Sequence, residues 1–495
     1  MAADGAMPPS AMVRSRTEVG ALTDLEISRA WLVDPAGRQE GPGEIVVRRG
    51  VLETVTWLHG AEADGVDERG IVVAPGFVDL HAHLRQPGAE DAETIATGLA
   101  AAAHGGFTTV CAMPNTSPAI DEPGVLELVR AAGRASGSPV ELLVHGCVSV
   151  GRRGEQLAAL GELADAGAVG FSDDGSPVRS APILRNALLY AGMYGRPVID
   201  HPETLELTEG AEANEGVVAS VLGLKGWPIA AEEAAVARDL AVLAGVLDDE
   251  PGARLHLTHV STAAGWALVR RAKTLGLPVT ADVTPHHLAL TDEWLAGARR
   301  WAWLALGTDG RSANPWVDGA IVSEPYDPAL RVNPPLRSAE DAAACLAALI
   351  DGTADAVATD HAPHTVVDKD VEFGLASNGI SGIETALGVL LAAVDAGHLP
   401  LARAIGALTT GPSAVLSGWP GVARLPIGPV ARRPGFVEGA PADLVVFDRS
   451  DDWLVTGDAL ASKGKNSPVI GLHLPGRVLF TIAGGRLAWD GTGED

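Results

Sequence analysis

The chain is short of thiols, aromatic rings and positive charge, and each shortage removes a class of function. Three cysteines stand among 495 residues. Cys111, Cys147 and Cys345 lie far apart and form no CxxC pair, which argues against a disulfide framework and against a cysteine-built zinc site. Lysine and arginine total 36 against 63 aspartates and glutamates, a formal net charge of −27. A surface of that sign repels nucleic acid and anionic membranes, so neither is an expected partner, and solubility is the simpler reading of the charge. No run of about 18 apolar residues exists to cross a membrane. Residues 1–19 hold no apolar signal core and read as a disordered polar leader. The scattered thiols fit a reducing cytoplasm.

What is present is apolar mass: 47% hydrophobic residues, with only 4% aromatic, in a chain long enough for one large α/β unit and a smaller domain. Residues 20–72 and 431–495 read as short strands and turns, too poor in apolar residues for separate cores, so both ends are expected to join in one small β-sandwich-like domain. Between them, residues 73–430 alternate strand and helix. Eight short apolar runs stand out, at 76–80, 108–112, 141–146, 168–171, 197–200, 254–258, 278–283 and 354–358. Helical stretches follow most of them, among them 92–104, 156–166, 231–247, 263–274, 339–351 and 384–396. Eight strand–helix units predict a closed (β/α)8 barrel of the TIM type.

In such a barrel the chemistry sits at the C-terminal strand ends. Five of these ends carry imidazole or carboxylate: His81 and His83, Asp173 and Asp174, His201, His259, and Asp360 with His361. Residues two apart on a strand face one way, so His81 and His83 point into the same mouth and can chelate one ion. Nitrogen and oxygen donors without thiolate suit Zn2+, with Mn2+ or Co2+ as alternatives. The other histidines read as structural: His59, His104, His398 and His473 in loops or on helices, His145 and His256 inside strands. His286 and His287, at the end of the seventh strand, are expected beside the site rather than in it.

Several stretches resemble the dihydroorotases of the amidohydrolase superfamily, and the bacterial class I enzymes most closely. They are PGFVDLHAHLRQPG at 75–88, AMPNT at 112–116, FSDDG at 171–175, VNPPLR at 332–337, ATDHAPH at 358–364 and SKGKNSP at 462–468. The likeness runs from about 43 to 484, broken mainly at 291–330. It implies that His81 and His83 bind one metal with Asp360, and that Asp174 bridges to a second metal completed by His201 and His259. It implies two zinc ions per subunit, with Asp360 as general base and acid. Substrate contacts fall on His83, Arg85, Asn115, Asn333, His364, Asn378 and Gly379. Many cyclic amidohydrolases bridge their metals with a carboxylated lysine at the end of strand four; here the only lysines between Gly76 and His364 are Lys225 and Lys273, which leaves Asp174 as the bridge. Asp173 is expected to face the other way.

The implied reaction interconverts (S)-dihydroorotate and N-carbamoyl-L-aspartate in pyrimidine biosynthesis. The small-molecule substrate carries a carboxylate, for which Arg85, Asn115 and His364 offer donors. A hydantoinase or allantoinase is the nearest rival, but these typically lack the arginine after the HxH pair and the second histidine of the 358–364 stretch. An inactive subunit that only scaffolds aspartate transcarbamoylase is a further alternative, opposed by the complete ligand set. A homo-oligomer is expected, with aspartate transcarbamoylase as a candidate partner. The long segment 291–330 contains Trp294, Trp301, Trp303 and Trp316. That much indole predicts burial, either as rim cover or subunit contact, or as a cap on its own barrel.

Overall fold

A computed structural model describes residues 12–15, 17–307, 309–417 and 434–493. The expected domain boundary at 430/431 lies outside the described residues.

Eight parallel strands form the barrel: Phe77–Ala82, Phe107–Ala112, Glu141–Val144, Phe171–Ser172, Val198–Asp200, Leu255–Leu257, Val279–Val283 and Ala356–Val357. The first three pair in order, as do the last five. Two parallel bridges, Gly146 to Phe171 and Ala82 to His361, join these sheets and complete the ring. The join between the first and eighth strands also has His83 N donating to His361 O at 2.8 Å. There the Asp79 carboxylate accepts from Thr359 N (2.9 Å) and Thr359 Oγ1 (2.5 Å). Strands covered on both faces need near-continuous apolar runs, and Phe107–Ala112 is buried throughout.

Helices close each unit at boundaries their caps explain. Thr94 accepts from Thr97 N ahead of Ile95–His104, Thr262 from Gly265 N ahead of Ala263–Thr274, and Ser338 from Asp341 N ahead of Ala339–Asp351. Gly352, at φ +81°, ends the last of these in the left-handed conformation that glycine tolerates best. The main core lies between this helical shell and the strands, with Phe107, Phe171 and Trp266 fully buried. Inside the barrel a second cluster of Val78, Leu80, Ala356 and Ala358 packs against Val415 and Leu416 from the helix Thr410–Ser417. That stopper fills the interior below the strand ends that carry histidine and aspartate.

Both chain ends do meet. Leu25–Asp34, Gln39–Arg48, Val51–Trp57 and Ile71–Pro75 share one sheet with Leu444–Leu454, His473–Ala483 and Arg486–Asp490. Bridges from Leu22 to Arg486 and from Val51 to Pro441 bring its two ends together. Leu25, Ile27, Ile45, Phe480 and Ile482 then share a core. Alternate residues Val72, Val445 and Phe447 join the barrel core instead. The leader expected over 1–19 needs correction at one place: Met12–Ser15 forms a strand antiparallel to residues 25–28. Leu25–Asp34 pairs with Ile71–Pro75 only at Trp31 and Leu32, so its first half has an open edge that these residues cover.

The segment 291–330 is folded onto the barrel. Trp294 is buried, its indole donating to Arg300 O at 2.7 Å, and Arg299 lies over its ring. Trp301 and Trp303 stack at 5.5 Å, and Trp303 meets His398. Only Trp316 is substantially exposed. The cap on its own barrel is therefore the arrangement seen.

Candidate active site

The alternation of the first strand delivers both imidazoles to one place. His81 Nε2 and His83 Nε2 lie 3.2 Å apart. Asp174 Oδ2 stands 3.1 Å from the first, and Asp360 Oδ1 stands 3.1 Å from the second. Across the mouth, His201 Nδ1 and His259 Nε2 are 3.0 Å apart, each 3.5 Å from Asp174 Oδ1. The Asp174 carboxylate thus turns one oxygen to each pair. His259 and Asp360 take φ of +38° and +47° just past their strands, a costly backbone for side-chain-bearing residues that turns both inward. All six residues are at most 5% exposed.

These residues fit divalent metal. Two sets, His81–His83–Asp174 and Asp174–His201–His259, each gather donor atoms within 4.8 Å. Asp174 Oδ1 is buried and has no hydrogen-bond partner among the described residues. Imidazole nitrogens held this close need something positive between them. Three of the four far nitrogens are held as in metal sites: His81 Nδ1 by Thr258 Oγ1 (2.8 Å), His83 Nδ1 by Asn115 Oδ1 (2.8 Å) and His201 Nε2 by Glu203 Oε2 (3.0 Å), while His259 Nδ1 has no partner among the described residues.

The electrostatics tell the same story. Burial disfavours charge on His81, but the Asp174 and Asp360 carboxylates override it and raise the imidazole to about 9. Burial likewise opposes charge on His201, and the Asp174 and Glu203 carboxylates beside it raise it to about 10. Despite burial, the surrounding imidazoles hold Asp174 well below the usual carboxylate range and lower Asp360 too. In effect this is an anionic carboxylate pair seeking positive charge.

Above it opens a cavity of about 150 Å3. Its wall holds His83, Arg85, Asn115, Asn333, Asn378 and Gly379, over Asp174, His201, His259 and Asp360. His81 and His364 stand just behind the wall. Arg85, at φ +60°, donates Nε to Pro363 O at 2.9 Å and brings Nη2 within 3.1 Å of His364 Nε2. No carboxylate lies within 4.0 Å of this guanidinium among the described residues, so it is free to receive an anion. His364 Nε2 lies 2.8 Å from Asn378 O; burial and the neighbouring guanidinium push its pKa down to about 4, leaving the ring neutral. Among the described residues of 291–330 none lines the cavity, which corrects the expectation of rim cover.

Sequence reasoning missed the groups behind the ligands. Glu203 joins His201 to Asn333, accepting from Asn333 Nδ2 at 3.1 Å. Its place two residues after a strand-end ligand was the available signal. Asp282 accepts from His259 N (2.6 Å) and Thr258 Oγ1 (3.2 Å) and meets His256 Nε2 (2.9 Å). An acid inside an apolar strand was the clue there. His256 is accordingly a satisfied core histidine, as read. His287 Nε2 reaches Pro334 O at 3.1 Å and so props the segment that carries Asn333, beside the site as expected. Asp173 does face away: it accepts from Val148 N and Ser149 N at 3.0 Å each.

Comparison with known proteins agrees with this geometry. The "Dihydro-orotase-like" family profile matches residues 70–264. A dihydroorotase of Anaeromyxobacter dehalogenans (strain 2CP-1 / ATCC BAA-258) is 45% identical over 465 residues, covering 94% of this chain and 97% of its own. One from Pelotomaculum thermopropionicum is 42% identical over 465 residues, covering 94% and 98%. Among solved structures, L-hydantoinase from Arthrobacter aurescens superposes with a TM-score of 0.72 at 24% identity, over 94% of this chain and 96% of that one. Likeness that low speaks for the fold alone. Likeness of 45% along nearly the full length of both chains speaks for more, and the chain belongs to the dihydroorotase family.

Proposed function

We propose that the chain interconverts (S)-dihydroorotate and N-carbamoyl-L-aspartate, using zinc held by His81, His83, Asp174, His201, His259 and Asp360. The observation that carries this reading is the unpaired Arg85 guanidinium facing a cavity floored by imidazoles and carboxylates. When bound, the metals polarise the ring carbonyl and make water acidic enough to attack near neutral pH.

The protein's own groups supply the rest. Arg85, with Asn115 and His364 beside it, receives the ring carboxylate by charge-assisted hydrogen bonds. The Asn115 amide is oriented because its Oδ1 is engaged by His83, leaving Nδ2 for the substrate. Asn333, steadied by Glu203, and the Asn378 and Gly379 backbone flank the ring. Gly379 has no room for a side chain: a Cβ there would meet Ala362 Cβ and Ala362 O at 2.7 Å each. Asp360 takes the proton of the attacking water and delivers it to the departing ring nitrogen as the amide C–N bond breaks. The cyclisation runs the same steps backwards and expels water.

A neutral cyclic ureide has no use for Arg85, which favours this substrate over those of hydantoinases and allantoinases. The complete ligand set favours an active enzyme over an inactive scaffold. The enzyme's setting is the cytoplasm, which suits three buried, unpaired thiols. Its assembly is a homo-oligomer with aspartate transcarbamoylase as candidate partner, a reading that light scattering with and without that enzyme tests. The deciding experiment for function is turnover of dihydroorotate by the purified chain, with metal analysis of the same sample. Turnover with about two zinc ions per chain supports the proposal; activity only on neutral ureides would sink it.

A further inference from the structure

A chain of net charge −27 repels an anionic substrate, so a local source of positive potential at the mouth matters. Arg85 is one. Another lies in the turn Gly151-Arg152-Arg153-Gly154. A methyl group placed on Gly175, a cavity-wall residue, would lie 2.9 Å from Arg152 Nη2 and 3.1 Å from Asn115 Nδ2. Arg152 does not itself line the cavity, but its guanidinium stands against Gly175 and so beside Asn115, a proposed substrate contact on that wall. It is half-buried, donates Nε to Asp173 O at 3.3 Å, and has no carboxylate within 4.0 Å among the described residues. Arg153 beside it is exposed and equally unpaired by that measure.

The turn is built to stay put. Gly151, Arg152 and Gly154 take φ of +58°, +59° and +68°. For arginine that conformation costs energy and persists only where surroundings impose it. Asp121 accepts from Gly151 N at 2.7 Å, and Ser149 Oγ accepts from Gly154 N at 2.8 Å. Ser149 is in turn fixed by Asp173, the neighbour of the proposed bridging Asp174. The carboxylate that faces away from the metals thus anchors the turn to the same strand end.

We infer that Arg152, assisted by Arg153, is a specificity-determining residue that draws the open-chain dianion N-carbamoyl-L-aspartate into the mouth, beyond what Arg85 does for the single carboxylate of the ring form. The inference rests on the proposed reaction. The dianion has one more negative charge than the cyclic monoanion and gains more from a second guanidinium. Since Arg152 touches no reacting atom, its effect belongs in capture and not in the chemical step.

The test measures kcat and KM in both directions for wild type, Arg152→Met, Arg152→Lys and the Arg152→Met/Arg153→Met double variant. Ionic strength runs from about 0.02 to about 0.5 M, across which exposed charges pass from weakly to strongly screened. Arg134→Met, on the outer helix Pro123–Ala135, controls for net charge. Wild-type turnover of dihydroorotate comes first, and its absence would strike the proposed reaction and not this assignment. Given turnover, Arg152→Met is expected to raise KM about tenfold for N-carbamoyl-L-aspartate at low salt and about threefold or less for dihydroorotate, with the ratio of the two kcat values shifting by the same factor, because the equilibrium constant fixes the ratio of the two kcat/KM values. The wild-type salt dependence should flatten in the double variant, and Arg152→Lys should recover most of the loss. A double variant with unchanged KM and unchanged salt dependence overturns the inference. So does a loss confined to kcat, or a rise in KM equal for both substrates and not rescued by lysine, since either marks a structural role.

Discussion

Asp360 stands in two relationships at once. Its Oδ1 lies 3.1 Å from His83 Nε2, and its side chain also forms part of the cavity wall. That double placement suits the proposed role, in which one carboxylate holds the centre and passes a proton to substrate. Asp360→Asn keeps the size and removes the proton acceptor, so steady-state kinetics should show turnover down by at least about a hundredfold in a folded barrel. Near-wild-type rates would remove Asp360 from this role. Arg85→Met tests carboxylate recognition: kcat/KM should fall far more for dihydroorotate than for a neutral cyclic ureide, and an equal loss would count against it. At this scale the sequence was most readable where strand periodicity and chemistry coincide, as at His81 and His83. It was least readable for Glu203, Thr258 and Asp282, whose meaning depends on which ligand each one touches across the barrel.

Among the elements, 291–330 departs most from expectation, since its indoles serve its own barrel. Trp303 packs between Trp301 and His398 and does not line the cavity. Trp303→Ala is expected to cost about 2 kcal/mol, below the range for fully buried indoles because this one is half-buried. Denaturant midpoints should show that cost while kcat/KM stays within about twofold; a large kinetic loss would restore a role at the mouth. The same segment holds a pH-sensitive group. Burial pushes the Asp292 carboxyl up to about 7 from an ordinary 3.8, although Asn214 Nδ2 donates to it at 3.0 Å. A folded-state pKa raised this way contributes stability that is whole below the ordinary carboxylate range and lost as pH rises through about 7. Asp292→Asn cannot ionise, so its melting temperature relative to wild type should climb between about pH 5 and about pH 8. A flat difference would mean that Asp292 titrates normally. Aromatic content foretold burial of this segment, but the surface that would bury it depends on neighbours such as His398, about a hundred positions away in sequence.

For the whole molecule, the count of eight strand–helix units was enough to foresee a ring, and the weak cores of both ends were enough to foresee their union. What pattern could not foresee was how unevenly the ring is joined. Phe107–Ala112 and Glu141–Val144 pair with each other over four residues, whereas the eighth unit meets the first strand through the one bridge Ala82 to His361, four residues beyond Val357, and the hydrogen bonds of His83 and Asp79 beside it. Very short strands give the sequence little periodicity from which to read their pairing.

That last join makes the barrel resemble a bracelet whose fastening lies at the proposed metal centre. His81 and His83 hang on one side of the gap and Asp360 on the other, so an ion gripped by all three works as a clasp. Stripping the metals with a chelator should therefore speed hydrogen exchange at residues 79–83 and 358–362 well before global unfolding, while the ligand-free strands Phe107–Ala112 and Glu141–Val144 keep their protection. Uniform loosening, or none, would show that the fastening holds without its pin. If it opens, the apo-protein is an unclasped barrel, and loading metal is the last step in closing it.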